Sequence, residues 1–245
     1  NPLWAFDVFA MIIETITHTC TRCGSVNIRK NGHNKSGNAQ FKCNDCGRSS
    51  VLKPKVKYSE ERKEHIIKTY LERGSLRGMQ RLFGVAPDTL MKWKKKATTP
   101  LFESLLPACT GDTLELDELW SYVLCRTNKV WNWIALSRNT RQVVAFVCGA
   151  RDSVNCTELR CRLTTGYADL PTCSDYWSSY AEVFDPDTHH SVGKHTGLTN
   201  HVERFNASAR NRLGRLTRKT LSFSKKQENH EAVLHVFLLQ YNNEI

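Results

Sequence analysis

The spacing of apolar residues changes period twice along the 245-residue chain, and the changes mark its parts. Within residues 17–52, short strand-like stretches alternate with turn signals at Asn31-Gly32 and Ser36-Gly37, which predicts a small β module. From Ser59 the period becomes helical. Ser59 reads as an N-cap followed by Glu60 and Glu61, with Ile66, Ile67, Tyr70 and Leu71 on one face up to Gly74. Leu76, Met79, Leu82 and Phe83 predict a second helix ending at Gly84, and Pro87 opens a third through Leu90, Trp93 and Lys96. Three helices over residues 58–97, with a glycine turn before the last, fit a helix-turn-helix; a plain three-helix bundle has the same periodicity.

Residues 98–110, with Pro100 and Pro107, read as a linker, and beyond them the pattern changes again. Runs at 113–125, 130–137 and 141–150 are strand-like and separated by short turns, which predicts an antiparallel meander. Helical patterning over 155–163, a short strand ending at Asp175, a helix near 176–184, a short strand near 189–192 and long closing helices follow. Three hairpin-linked strands and then alternating helices and strands predict an α/β domain over 111–245, a mixed sheet flanked by helices in a ribonuclease H-like order.

One of the closing helices is unusual. Val202, Phe205, Ala209, Leu213 and Leu216 form a narrow apolar face in a strongly basic segment, with Glu203 and Arg210 together along its edge. Eight basic residues follow Glu203 before the next acid, Glu228, among them Arg204, Arg210, Arg212, Arg215, Arg218 and Lys219. Such a run attracts duplex DNA through phosphate contacts and counterion release. Asp117 sits inside the first strand of the meander, where aspartate is disfavoured, on the face opposite Leu114 and Leu116. Asp175 stands at a strand's carboxyl end, where ligands collect in α/β sheets. Asp117, Asp175 and Glu203 are therefore candidate ligands for divalent metal. Glu115, Glu118, Asp152 and Glu158 read as ordinary surface acids.

The charge is unevenly placed. Residues 1–100 carry 19 Lys and Arg against 8 Asp and Glu, whereas residues 101–245 carry 16 of each. A basic front on a neutral back points to a polyanion-binding module joined to a different function, and nucleic acid is the expected partner. Thr89, Lys92 and Lys96 are candidate groove contacts, and Lys94 and Lys95 candidate phosphate contacts. The apolar opening residues are too short for a membrane span and lack a basic leader, so residues 1–16 read as an N-terminal extension.

Of the ten cysteines, Cys20, Cys23, Cys43 and Cys46 form two C-x-x-C-G knuckles 19 residues apart. Each supplies two thiolates from one tight turn, and together they fill a zinc tetrahedron, which predicts a zinc ribbon over 17–52. Filled coordination makes the zinc structural; whether the hairpin also touches DNA through residues such as Lys30 is left open. The other six cysteines are scattered, as small buried hydrophobes are in a reducing compartment.

LDELWSYV around Asp117, SDYWSSY around Asp175 and HVERFNASARNRLGRLTRKTLSFSKKQENH from His201 to His230 resemble the IS1-family insertion-sequence transposases, over roughly residues 17–243. The two knuckles and the three helices are similar to that family's DNA-binding leader region. The resemblance implies a triad of Asp117, Asp175 and Glu203 on a ribonuclease H-like fold, holding two Mg2+ ions (or Mn2+), with Arg210 near the scissile phosphate. It implies metal-dependent cleavage and strand transfer at terminal inverted repeats, by a homo-oligomer on double-stranded DNA in the cytoplasm of a prokaryote, at the nucleoid. Two other functions fit the same motifs: a DNA-binding regulator without activity, and a nuclease that cuts without joining.

Overall fold

The computed structural model describes residues 14–52, 57–96 and 99–245, so most of the expected N-terminal extension and the start of the expected 98–110 linker lie outside the described residues. The chain divides into two compact units, Asn1–Ser59 and Glu60–Ile245.

In the first unit, β1 (Ile28–His33), β2 (Ala39–Cys43) and β3 (Ser49–Ser50) form an antiparallel sheet in that order. Asn34 and Asn38 close the β1–β2 hairpin, with Gly37 at φ 76°. The turn expected at Asn31-Gly32 is not a turn. Both residues lie within β1, where the register with β2 slips between Lys30 and His33 and Gly32 takes φ 68°.

The second unit begins with α1 (Glu60–Leu71), α2 (Leu76–Phe83) and α3 (Pro87–Lys95). Ser75 caps α2 by accepting from Gly78 N at 2.9 Å, and Gly84 ends it in the left-handed conformation, φ 66°. These helices do not stand apart from the domain that follows. Tyr70, Glu72, Arg73 and Lys95 of this region all contact the C-terminal part of the chain, and Arg73 N donates to Arg212 O at 2.6 Å. Residues 101–110, expected as a linker, also pack down: Leu101 is buried, Ser104 O accepts from Gln142 and Leu106 O from the Tyr167 hydroxyl.

The sheet of this unit comprises β4 (Leu114–Tyr122), β5 (Lys129–Ser137), β6 (Val143–Gly149), β7 (Thr172–Ser174) and β8 (His189–Ser191), in the order β6-β5-β4-β7-β8. The first three strands are antiparallel; β7 runs parallel to β4 and β8 parallel to β7. Crossover α4 (Ser153–Cys161), capped by Asp152, connects β6 to β7, and α5 (Ser178–Val183) connects β7 to β8. Leu114, Leu116, Trp133, Ala135, Cys156, Leu159 and Tyr180 make the core on the α4–α5 face. On the other side lie α6 (Asn200–Arg212) and α7 (Gln227–Glu244). All five residues of the predicted apolar face of α6 and the turn after it, from Val202 to Leu216, are buried.

Edge strand β6 is covered by α7. Asn242 accepts from Val143 N at 2.8 Å and donates to Val143 O at 2.9 Å, standing in for the strand that is not there.

Candidate metal and nucleic-acid site

Strand alternation sends successive side chains of β4 to opposite faces, so Glu115 and Asp117 look toward α6 while Glu118 shares the face of Leu114 and Leu116. Asp117 Oδ2 accepts from Asn206 Nδ2 of α6 at 2.8 Å, and Oδ1 accepts from Glu118 N at 2.8 Å. Burial pushes the Asp117 carboxyl up to about 6, opposed by those two donors and reinforced by the charges of Asp175 and Glu203. Asp175 follows β7 directly and turns its Oδ1 onto Trp177 N at 3.1 Å, which fixes the entry to α5. Strand β7 pairs with β4 at Leu114 and Glu115, so the ladder ends just before Asp117 and Asp175, at the carboxyl end of β7. Glu203, in the first turn of α6, is exposed and accepts from Thr199 Oγ1 at 3.2 Å.

The tightest acidic group is Asp117, Glu118 and Asp175, each offering a carboxylate oxygen within 4.8 Å of the others. Glu203 stands outside that group, close enough for Asp117 to feel its charge. Glu118 is the residue that the sequence led us to discard as a surface acid. It is buried, and burial pushes its carboxyl up to about 7 despite the guanidinium of Arg151, which donates to its Oε2 at 3.0 Å. Its shared parity with Leu114 and Leu116 was the available signal: an acid on an apolar strand face needs a partner.

Glu115 was also misjudged as a surface acid. It is fully buried and accepts from the backbone of His201 at 2.9 Å and of Val202 at 3.1 Å, from Arg138 Nε at 2.9 Å, and pairs with His201 Nδ1 at 2.7 Å. A carboxylate on the first backbone N–H groups of a helix satisfies donors that have no intrahelical partner. Here it fastens the start of α6 to β4, two residues from Asp117. Asp152 and Glu158 have local roles, as the α4 cap and in an ion pair with Arg162.

The basic residues separate into two classes. Arg204, Arg218, Lys219, Lys92 and Lys96 are exposed, as is Lys30 in the first unit; Thr89 is half-buried. Others expected to face DNA are engaged with protein partners, and Arg215 and Lys94 among them are buried. Arg215 is buried, bonded to the Tyr70 hydroxyl and to Ser224 Oγ at 2.5 Å. Arg212 pairs with Glu244 at 2.7 Å and with Glu72. Arg210 turns Nη1 inward onto Leu216 O at 2.8 Å, bracing the chain as it leaves α6. Lys94 is buried with its Nζ 3.6 Å above the Tyr70 ring, and Lys95 pairs with Glu228 at 2.9 Å. Lys94 is thereby withdrawn from the phosphate contact expected of it, whereas Lys95 stays exposed.

In the first unit the thiols of Cys20, Cys23, Cys43 and Cys46 all lie within 4.8 Å of one another. Cys20–Cys46 and Cys23–Cys43 are each 3.6 Å apart, close to the ~3.8 Å edge of a tetrahedron with ~2.3 Å Zn–S bonds. Both knuckles repeat one geometry: Gly24 N bonds Cys20 O and Gly47 N bonds Cys43 O, with the glycines at φ 73° and 72°. The donor set fits zinc. The acidic group, made only of hard carboxylate oxygens, fits Mg2+ or Mn2+.

A family model described as IS1 transposase matches residues 112–242, the stretch that carries the whole acidic site. Insertion element iso-IS1n protein InsB of Shigella dysenteriae is 39% identical over 124 residues, which is 51% of this chain and 92% of that protein. Insertion element IS1 protein InsB of Shigella flexneri is 34% identical over the same shares, and Insertion element IS1 4 protein InsB of Escherichia coli K12 is 33% identical over 51% of this chain and 72% of its own length. The chain belongs to the IS1 transposase family.

Proposed function

We propose that the protein is a DNA transposase that binds the terminal inverted repeats of an insertion sequence and carries out divalent-metal-dependent strand cleavage and strand transfer. The observation that carries this reading is the acidic cluster beside β4, where carboxylate oxygens of Asp117 and Asp175 lie within 4.8 Å of each other and the Glu203 charge reaches Asp117. The sheet order β6-β5-β4-β7-β8, with β7 and β8 parallel to β4, supports a ribonuclease H-like fold.

Asp117, Asp175 and Glu203 would hold two Mg2+ or Mn2+ ions, which supply Lewis-acid stabilisation of an in-line displacement at a phosphodiester. The chain's own residues prepare that position. Asn206 orients Asp117 across the gap from α6, the Trp177 backbone holds Asp175, and Glu115 fixes the helix on which Glu203 rides. Arg204, Arg218 and Lys219, with Lys225 and Lys226, form the exposed basic surface for DNA phosphates beyond the acids. Arg210, one arm of which is spent on backbone carbonyls, acts mainly as a brace.

The zinc ribbon and the helices α1–α3, acting as a helix-turn-helix, would read the element ends, with Thr89, Lys92 and Lys96 toward the groove and Lys30 toward the backbone. Two ends must be brought together, so a homo-oligomer on DNA is the working form. Among the described residues no helix is long and apolar enough to cross a membrane.

The test is incubation with a labelled inverted-repeat oligonucleotide, Mg2+ and a target plasmid. Nicking followed by joined product supports the transposase. Binding without nicking supports a regulator, and nicking without joining a nuclease.

A further inference from the structure

Glu118 is not one of the three acids that the family resemblance singles out, yet its surroundings are built with more care than theirs. Its side chain is 1% exposed. Oε2 is held by Arg151 at 3.0 Å. The guanidinium of Arg151 is itself clamped, 3.8 Å from the Trp177 ring and 4.7 Å from the Trp131 ring, so it has little freedom to follow another partner. Oε1 has no hydrogen-bond partner at all, although it is fully enclosed.

A buried carboxylate oxygen without a donor costs free energy unless something positive meets it. Arg151 neutralises one side of Glu118 and leaves the other unmet. Carboxylate oxygens of Asp117 and Asp175 lie within 4.8 Å of this carboxylate and repel it. A divalent cation relieves all three together and meets the open Oε1. The arrangement reaches the cluster from the α4–α5 face of the sheet, whereas Asp117 reaches it from the α6 face, so a bound ion would be gripped from both sides of β4. Glu203, exposed and outside the tight group, lies on the α6 side alone.

We infer that Glu118 is a further ligand of the divalent-cation site, offering Oε1 to the ion while Arg151, held between Trp131 and Trp177, fixes Oε2 and sets the carboxylate's orientation. The inference rests on the metal-site reading of Asp117 and Asp175. It gives Arg151 a positioning role and explains why a tryptophan directly follows the Asp175-Tyr176 pair: Trp177 forms one wall of the clamp.

The test is Mn2+ binding to the intact protein without DNA, followed by the electron paramagnetic resonance signal of free Mn2+, with a thermal melt of each variant in chelator as a folding control. Asp117→Asn and Asp175→Asn should abolish tight binding. Glu118→Gln should raise the Mn2+ Kd about tenfold or more. Glu118→Asp keeps the charge but withdraws the oxygen by one methylene, and should weaken binding to a similar degree; it carries the test if the glutamine variant fails to fold. Glu158→Gln, on the outer surface of α4, should bind as wild type. Wild-type affinity in folded Glu118→Gln or Glu118→Asp, with loss in Asp117→Asn, would overturn the assignment of Glu118 and leave the site standing. Unchanged binding in Asp117→Asn and Asp175→Asn would overturn the metal site itself, and Glu118 with it.

Discussion

The carboxylate of Glu115, buried in β4, lies 2.9 Å from the backbone nitrogen of His201 at the start of α6. With Val202 N, Arg138 and the His201 ring also converging on it, this one side chain joins the strand that bears Asp117 to the helix that bears Glu203. Helix α6 therefore has a fixed origin relative to the sheet, and the separation of two candidate ligands is set by a third acid that binds no metal.

Replacing Glu115 should damage stability and the metal site together. Glu115→Ala leaves Arg138 and two backbone donors without their acceptor, and should cost about 3 kcal/mol in chemical denaturation. Glu115→Gln, which keeps the shape but not the charge, should lie between that variant and wild type. A loss under ~0.5 kcal/mol for the alanine variant would show that α6 is held by its apolar face alone.

Lys94 offers a pH-dependent prediction. Burial, helped by the nearby Arg215 charge, lowers its ammonium to about 6, against 10.5 for the free group; the Tyr70 face offsets part of this. Between those values the unfolded chain binds a proton that the folded chain does not, so stability rises with pH through that window and falls as pH drops toward 6. Lys94→Met should therefore be more stable than wild type at pH 7, by about 2 kcal/mol, and the gap should narrow by pH 9.5. Urea midpoints of the two proteins at both pH values check this; a gap that stays constant or widens contradicts it.

Asn242 should matter more than its position near the chain's end suggests. Its amide closes both hydrogen-bonding groups of Val143 on edge strand β6, and Asn242→Ala leaves them buried and unmet. A loss of about 2 kcal/mol is expected, together with faster amide exchange at Val143 measured by NMR. Unchanged exchange would mean that another group covers the edge.

Zinc removal should act locally. Chelation leaves four thiols clustered with little apolar core around them, so amide exchange should accelerate across β1–β3. Exchange across β4–β6, in the other compact unit, should be unaffected. Mass-spectrometric exchange with and without chelator separates the two regions, and equal acceleration in both would contradict a local role.

Much of this architecture was legible in the sequence because it is written in periods. The strand-like runs from Leu114 to Gly149 became β4–β6, and the stripe from Val202 to Leu216 buries the residues that its spacing selects. The two cysteine knuckles were legible for a different reason: four thiols at matched spacing have few other uses. What escaped was the fate of charged residues, since a charge becomes internal only when a distant partner meets it. Arg215 looked like one more phosphate contact until Tyr70, 145 residues earlier, supplied its acceptor. Glu115 and Glu118 looked like solvent-facing acids because Arg138, Arg151 and the α6 backbone are remote in sequence. Asn31-Gly32 carried a turn signal, but the positive φ it provides is used for a slip in strand register.

The central claim is that Asp117, Asp175 and Glu203 together support metal-dependent cleavage of DNA at an element end. The most direct measurement compares wild type with Asp117→Asn, Asp175→Asn and Glu203→Gln on a labelled inverted-repeat oligonucleotide in Mg2+, recording binding and nicking in the same samples. Each variant should bind the oligonucleotide as wild type does and nick it at least about a hundredfold more slowly. Nicking by wild type that persists at full rate in all three variants would contradict the account.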